Sequence, residues 1–364
     1  MEINKLLAYA LESGASDLHL SSGSIPMVRI NGIMKPLNMS STTDKDMDSI
    51  LPQVMSDDQI AKFRDRKEID FSARLDGKGR FRVNFFQQIR GLAAVFRAIP
   101  EIPKGFEELS LPPILETMSM LDRGLILLTG PTGSGKSTTL AAMVDHINQN
   151  RECHIITIED PVEYFHHSNQ CMINQRELGA STHSFANALR SALREDPDVI
   201  LVGEMRDLET IEAAITAAET GHVVFGTLHT NSATGTINRI IDAFPGNLQE
   251  QIRTQLSVTI IGVLSQTLLP KIGGGRVAAY ETLVVTPGIA NLIRENKTFR
   301  IPSAIQTGAK HGMKLMDDAL FELWRDGKTT REDVLSRAHS LDELAKRIVS
   351  AEQDATSDSA LSES

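Results

Sequence analysis

The segment 130–138 carries the residue types and spacing best suited to chemistry in this chain. It reads GPTGSGKST and follows the pattern G-x-x-x-x-G-K-[ST] after an apolar run. Glycines let backbone N–H groups turn toward phosphates, and the following helix adds the positive end of its dipole. We expect Lys136 to reach the β- and γ-phosphates of ATP and Ser137 to bind Mg²⁺. The predicted nucleotide-binding residues are Gly130, Pro131, Thr132, Gly133, Ser134, Gly135, Lys136, Ser137 and Thr138.

Acidic residues follow two further apolar runs. ITIEDPVE contains Glu159, Asp160 and Glu163, and DVILVGEMRD contains Glu204 in the place of a Walker B residue, where Asp is common. A carboxylate there can bind Mg²⁺ directly or through water, or orient the attacking water. The alternative is that these acids cap helices or pair with cations such as Arg206. The residues alone do not divide the roles of Glu163 and Glu204.

Two histidines flank the run VVFGTL. His222 and His229 are seven positions apart, which places them roughly 20 Å apart along an extended strand. That distance excludes one shared metal ion. We expect His229 near the γ-phosphate and His222 as a structural or interface contact; the alternative is that each is only satisfied by hydrogen bonds.

Arginines in the first hundred residues could supply further positive charge. Phosphoryl transfer needs cations on the transferred oxygens beyond Lys136. Arg80, Arg82 and Arg97 lie outside the phosphate loop's own domain and could close the site if the first domain folds over the nucleotide. Alternatively, they form the solvated polar face of a sheet.

The predicted secondary structure divides the chain into two regions. Residues 2–13 have helical periodicity with a stop at Gly14, and RFRVNFF alternates apolar and polar residues as in a sheet with one polar face. We predict a small α+β domain over 1–98 and a proline-rich linker or hinge over 99–113.

From 114 to 350 short apolar runs alternate with helical segments. LILLT (125–129), HIITI (154–158), DVILVG (198–203) and VVFGTLH (223–229) are the predicted strands. Such alternation indicates an α/β domain with a mainly parallel sheet, whose ligands bind at the carboxyl ends of the strands. Residues 351–364 are rich in Ser, Asp and Glu, and we expect them to be disordered.

Composition excludes several classes of protein. The 364 residues carry a formal charge of −10, which disfavours a nucleic-acid platform over the whole surface but leaves a local basic patch open. The two cysteines, Cys153 and Cys171, form no CxxC pair and cannot supply a disulfide framework or a four-cysteine zinc site; we expect reduced thiols in a cytoplasmic protein. No apolar stretch approaches the ~18 residues of a membrane span, and the N-terminus does not resemble a signal peptide.

The chain resembles the secretion-superfamily ATPases, and among them the retraction ATPases of type IV pili. The blocks that carry the resemblance are GASDLHLS, RFRVN, GPTGSGKSTTLAAM, ITIEDPVE, ALRSALREDPDVILVGEMRDLETI, TAAETGHVVFGTLHT and SQTLLPKIGGGRVAAYE. The resemblance implies a PAS-like N-terminal domain joined to a RecA-like P-loop ATPase domain, assembled as a homohexamer. The site residues it implies are the catalytic Glu163, the Walker B Glu204, the His-box residues His222 and His229, and the phosphate-contacting Arg82 and Arg97.

The resemblance also implies a task. ATP hydrolysis would close and open the two domains about the 99–113 linker. The resulting motion would act on a platform protein of the pilus in the inner membrane and so remove pilin from the fibre base, as twitching motility requires. The protein would then be cytoplasmic and peripheral at the inner face of the membrane.

The segment TPGIANLIRE (286–295) bears on retraction in particular. Thr286 is a plausible N-cap, Pro287 a first helical residue, and Ile289, Leu292 and Ile293 form one apolar stripe. Retraction ATPases carry the signature AIRNLIRE here. This chain has Gly288 in place of the first Ala and Ala290 in place of the Arg, so one cation of that helix is missing.

Other functions remain open at this point. One is an accessory retraction ATPase, and another is a pilus-assembly or type II secretion ATPase, whose relatives carry an additional N-terminal domain and usually a four-cysteine zinc site. More distant alternatives are a nucleic-acid motor and a nucleotide-controlled binding module without turnover.

Overall fold

A computed structural model describes residues 1–30, 32–100 and 103–362. The chain forms two compact units. The first comprises Met1–Pro103 together with the short segment Pro161–His166, and the second comprises Lys104–Asp160 and the chain from His167 onward.

The first unit contains an antiparallel sheet of six described strands in the order β3-β2-β1-β6-β5-β4. The strands are β1 (Asp17–Ser21), β2 (Met27–Ile30), β3 (Ile33–Pro36), β4 (Glu68–Leu75), β5 (Gly79–Gln88) and β6 (Gly91–Ile99). The helices are α1 (Ile3–Glu12), α2 (Asp44–Val54) and α3 (Asp57–Arg66).

Apolar alternation forms this sheet. In β5 the side chains of Phe81, Val83 and Phe85 are fully buried, whereas the residues between them are partly exposed. Phe85 packs edge-on against Phe96 of β6 with ring centroids 5.8 Å apart. The predicted α+β domain with one polar sheet face is therefore confirmed.

The second unit contains a sheet of seven described strands in the order β13-β12-β7-β11-β10-β8-β9. Neighbours are parallel except for β12 and β13, which are antiparallel. The strands are β7 (Gly124–Thr129), β8 (His154–Glu159), β9 (Met172–Glu177), β10 (Val199–Val202), β11 (Val223–Leu228), β12 (Ile260–Pro270) and β13 (Arg276–Val284).

Helices accompany this sheet along the chain. They are α4 (Phe106–Leu109), α5 (Ile114–Ser119), α6 (Lys136–Asn150), α7 (Phe185–Ala192), α8 (Leu208–Glu219), α9 (Ala233–Asp242), α10 (Gln249–Thr259), α11 (Pro287–Arg294), α12 (Ile301–Gln306), α13 (Met316–Arg325), α14 (Arg331–Leu335) and α15 (Leu341–Ser362). Two apolar clusters, one containing Leu127 and Val224 and the other Leu128 and Phe225, enclose the strands. The predicted mainly parallel α/β sheet is confirmed.

The central strands are buried along their whole length, as strands of parallel sheets are. Because β7, β8, β10 and β11 are parallel, their carboxyl ends meet at one edge of the sheet. Glu159 is the last residue of β8, and the phosphate loop, Glu204 and His229 follow the ends of β7, β10 and β11. The topology therefore gathers several of the predicted site residues at one edge.

The predicted linker and tail differ from what the structure contains. Residues 99–113 include the end of β6 and helix α4, and Phe106 and Leu111 are buried in the core of the second unit, because apolar residues stand between the prolines. Residues 101–102 lie outside the described chain. Helix α15 continues to Ser362 through most of the range expected to be disordered, and Glu352 on it pairs with Arg331 at 3.3 Å. Among the described helices, no segment combines the length and apolar character needed to cross a membrane.

Candidate functional site

The phosphate loop lies between the buried strand β7 and helix α6. Lys136, the first residue of α6, donates from Nζ to the carbonyl oxygens of Gly130 at 2.7 Å and Pro131 at 3.1 Å. Helix α6 begins after Gly135 with no side-chain cap, so its first N–H groups face the loop without a capping oxygen. Uncapped N–H groups beside a lysine form a site for an anion.

Strand β12 packs against this loop. Gly130 has φ +137°, and a Cβ atom there would lie 2.2 Å from the carbonyl oxygen of Gln266. The Gln266 side chain accepts a hydrogen bond from Thr139 Oγ1 at 2.8 Å, and its Nε2 would lie 2.8 Å from a Cβ at Gly135. The sequence alone does not indicate Gln266, because its contact with the loop depends on β12 pairing with β7.

The loop also contains a buried hydroxyl suited to a phosphate group. Ser134 is 2% exposed, and within the described chain its Oγ has no hydrogen-bond partner. A buried hydroxyl without a partner is costly in a native structure. A phosphate oxygen of a bound nucleotide would satisfy it.

The donor groups near the loop also fit Mg²⁺. The described residues contain no group of three or more His, Cys, Asp or Glu side chains placed to hold a metal. Mg²⁺ bound with a nucleotide needs only one or two protein oxygens, because phosphates and water supply the rest. The Ser137 hydroxyl and the Glu204 carboxylate are hard oxygen donors of the required kind.

Glu204 and His229 form a hydrogen-bonded pair. They follow the neighbouring parallel strands β10 and β11, and His229 Nε2 lies 2.7 Å from Glu204 Oε1. The Arg206 guanidinium also donates to Glu204 Oε1. Burial favours the neutral acid, but Arg206 and His229 outweigh it and hold the pKa of Glu204 below its ordinary value. The side chain is therefore an ionised carboxylate at neutral pH, able to hold a cation or orient water.

The other acids and His222 have different surroundings. Glu159 Oε1 accepts hydrogen bonds from Thr157 at 2.7 Å and from Gln175 at 3.3 Å. Glu163 belongs to the segment Pro161–His166 of the first unit. The His222 ring contacts the Ala217 carbonyl at 2.9 Å, a structural contact at the opposite end of β11 from His229.

Arg82 and Arg97 are directly opposite each other in the first unit. They are register partners on β5 and β6, and Asp17 of β1 is the register partner of Arg97 on its other side. Asp17 is 5% exposed, and its Oδ1 accepts from Arg97 Nε at 2.8 Å. Two opposed guanidinium groups repel each other unless an anion lies between or beside them. Arg80 instead lies over the Phe165 ring, 4.2 Å from its centroid.

The phosphate loop follows the buried parallel strand β7, and the ionised Glu204 follows β10, which is separated from β7 in the sheet by β11 alone. This arrangement defines a P-loop nucleotide-binding domain. Residues 1–274 match the family of type II/IV secretion system proteins, and the chain belongs to that family.

Individual relatives are similar over nearly the whole chain. The type IV pilus retraction ATPase PilT of Pseudomonas aeruginosa is 52% identical over 93% of this chain and 98% of its own length. A twitching motility protein of Neisseria gonorrhoeae is 50% identical over 88% of this chain and 86% of its own. A crystal structure of the pilus retraction motor PilT with bound ADP matches with a TM-score of 0.89 and 49% identity, covering 95% of this chain and 99% of that one.

Proposed function

We propose that this protein is an ATP-hydrolysing motor that powers retraction of type IV pili. The observation that carries the proposal is the 52% identity to a pilus retraction ATPase across almost the full length of both chains. The ADP in the similar crystal structure supports an adenine nucleotide as the ligand of the loop. The buried Ser134 hydroxyl and the uncapped start of α6 support phosphate binding at this position.

Each part of the site has a role in this proposal. Lys136 binds the β- and γ-phosphates of ATP, and Ser137 and Glu204 hold Mg²⁺, Glu204 directly or through water. When bound there, Mg²⁺ would supply positive charge to the phosphate oxygens. His229 keeps Glu204 oriented and ionised and acts near the γ-phosphate.

The remaining roles fall to residues of the first unit. Glu163 is the catalytic base that orients the attacking water. Arg82 and Arg97 contact phosphate and stabilise the charge that develops on it. Their opposed positions on β5 and β6 support this role, because they place two cationic side chains, Arg82 half-buried and Arg97 exposed, side by side on one sheet face.

The motor works as a cytoplasmic homohexamer at the inner face of the cytoplasmic membrane. Its partner is a platform protein of the pilus in that membrane, and through it the motor removes pilin from the fibre and drives twitching motility. The similarity to a twitching motility protein of Neisseria gonorrhoeae supports the link to motility. Nucleic acid is not an expected partner, in keeping with the formal charge of −10.

The enzymatic part of the proposal is tested with purified full-length protein. Steady-state phosphate release is measured for the wild type, for Lys136→Ala and for Lys62→Ala, which changes an exposed lysine of α3. We expect turnover in the wild type and in Lys62→Ala and none in Lys136→Ala. No turnover in the wild type would indicate a nucleotide-controlled binding module, and stimulation by DNA or RNA would favour a nucleic-acid motor.

The cellular part is tested by deletion of the gene in its native host, complemented with the wild type or with Lys136→Ala. We expect cells without the active motor to carry pili, often in increased number, and to lose surface motility. Bald cells would indicate an assembly ATPase. Motile cells with normal retraction would indicate an accessory role.

A further inference from the structure

The two cysteines of the chain lie side by side, although they are 18 positions apart. Cys153 stands directly before β8 and Cys171 directly before β9, and these strands pair in parallel from His154 and Met172 onward. The Met172 N–H donates to the Cys153 carbonyl at 3.0 Å. This bond fixes the register, and the two sulfur atoms are 3.4 Å apart.

We infer that Cys153 and Cys171 form a dithiol site that a low-molecular-weight disulfide such as oxidised glutathione converts to an intramolecular disulfide. Neighbouring strands are about 4.8 Å apart, within the roughly 4.4–6.8 Å between Cα atoms that a disulfide requires. The sulfur atoms must approach by roughly 1.4 Å to reach the bond length of about 2.05 Å. Side-chain rotation supplies most of that movement, because both sulfurs already point toward each other.

The order of the reaction follows from exposure. Cys171 is 2% exposed, whereas Cys153 is only partly buried. The Cys153 thiolate therefore attacks one sulfur of the external disulfide, forming a mixed disulfide and releasing one thiolate. The Cys171 thiolate then attacks the Cys153 sulfur and releases the second. Two protein thiols are oxidised, one external disulfide is reduced to two thiols, and the two protons go to the released thiolates.

The surroundings make this reaction slow at neutral pH. Burial and the neighbouring Cys171 thiol raise the pKa of Cys153 to about 12. Cys171 Sγ donates a hydrogen bond to the Arg151 carbonyl oxygen at 2.9 Å. Since the thiolate is the nucleophile, the rate of oxidation should rise about tenfold per pH unit below that pKa.

The disulfide would link the edge strand β9 covalently to β8. Strand β9 is the terminal strand and pairs with β8 alone among the described strands. The ring closed between Cys153 and Cys171 contains β8 and the segment Pro161–His166, which belongs to the first unit. Oxidation therefore ties together the two ends of the chain that leave and re-enter the second unit.

The test uses the full-length protein with oxidised glutathione near pH 9 (about three units below the Cys153 pKa), followed by acid quenching and peptide mapping without reduction. We expect a peptide that links Cys153 to Cys171, an intact mass lower by two hydrogens, and recovery of both thiols with a reductant. Amide exchange of β9 should be slower in the oxidised protein than in the reduced protein.

Two variants serve as controls. Cys171→Ser should stop at a glutathione adduct on Cys153, and Cys153→Ser should remain unmodified because Cys171 is buried. A wild-type protein that retains its native amide exchange yet carries only the Cys153 adduct, or that forms a dimer linked between chains, would overturn the inference. So would a linked peptide that forms in protein oxidised after unfolding but not in folded protein.

Discussion

The His229 imidazole and the Glu204 carboxylate, 2.7 Å apart, join the ends of two neighbouring parallel strands. The histidine helps to keep the pKa of Glu204 low in spite of burial. Because the two residues follow different strands, each can be changed by a single substitution. Substitutions in this pair therefore test how the site works.

Replacing His229 with Ala should reduce kcat by about 10²-fold with a smaller change in KM, because Glu204 loses a partner that orients it. The direction of the change in the pH profile follows from the pKa of Glu204. Without the histidine, the pKa of Glu204 rises toward its ordinary value, so the acidic limb of the kcat profile should shift to higher pH. Steady-state kinetics from about pH 3.5 to pH 8, a range that includes the ordinary Glu pKa of 4.5, would measure both effects.

The matched control is His311→Ala, which changes an exposed histidine outside the site. It should leave kcat and its pH profile unchanged. Equal losses in both variants would assign the effect of His229→Ala to general destabilisation.

Gly130→Ala should destabilise the protein even without nucleotide. Its new Cβ would lie 2.2 Å from the Gln266 carbonyl oxygen, and φ +137° is unfavourable for alanine. Gly133→Ala is the control: it has φ +79° but nothing within 4 Å of a Cβ, so only backbone strain of about 1–2 kcal/mol remains. Thermal unfolding of the nucleotide-free proteins should therefore give a clearly lower Tm for Gly130→Ala than for Gly133→Ala.

The parts that the sequence predicts well are local. The phosphate loop and α6 follow from a Gly-rich motif after an apolar run, and these residues are neighbours in the chain. The helix at Thr286 follows from a cap and a stripe: Thr286 Oγ1 accepts from the Ile289 N–H at 3.4 Å, and Ile289 and Ile293 are buried. Such features need no knowledge of strand order.

The parts that escape prediction depend on pairing between distant segments. Strand β9, MINQRE, was not predicted, because an edge strand with one exposed face lacks a continuous apolar run. The contact between Cys153 and Cys171 follows only once β8 and β9 are paired. Gln266 beneath Gly130 likewise depends on β12 lying beside β7. The sequence predicts two reduced thiols without a CxxC pair, and the topology brings them together.

Glu281 should be a major source of stability in the second unit. It is 5% exposed, and its two oxygens accept from the first N–H groups of two helices, Ala233 of α9 at 2.7 Å and Met316 of α13 at 3.3 Å. Glu281→Ala leaves both donors without this acceptor, at a cost of about 1–3 kcal/mol each. Thermal unfolding should show a Tm lower by several degrees.

Glu281→Gln should have an intermediate Tm, since the amide retains one acceptor oxygen. Glu322→Gln, which removes an exposed ion pair with Lys314, should change Tm much less, because exposed pairs contribute about 0–1 kcal/mol. Equal effects of Glu281→Ala and Glu322→Gln would contradict the role assigned to the buried carboxylate.

Glu163→Gln should bind ATP with nearly wild-type affinity and hydrolyse it slowly. The amide retains the size of the side chain but cannot accept a proton from water, so a catalytic base would lose about 10²–10⁴-fold in kcat. Nucleotide titration and phosphate release, made on the same preparation, separate binding from turnover. Lost binding would instead make Glu163 a metal ligand or a structural residue.

Asp17→Asn should remove the part of the folding stability that varies with pH in the acidic range. It should also free the Arg97 side chain from its ion pair with Asp17. Burial favours the neutral acid, but hydrogen bonds from Arg97 and Ser16 hold the pKa of Asp17 below its ordinary 3.8. Because the folded-state pKa is the lower one, the carboxylate stabilises the fold fully above about pH 4, and this contribution is lost as the pH falls further. The free energy of unfolding of the wild type should therefore exceed that of Asp17→Asn by about 1–3 kcal/mol at pH 7, and the difference should narrow below pH 4.

Asp122→Asn is the control, because Asp122 pairs with Arg151 while 93% exposed, and its effect should be small at every pH. If Arg97 acts on phosphate, Asp17→Asn should also lower kcat at pH 7, whereas a constant Tm gap from pH 7 to pH 3 would show that the ionised carboxylate is not the source of the stability.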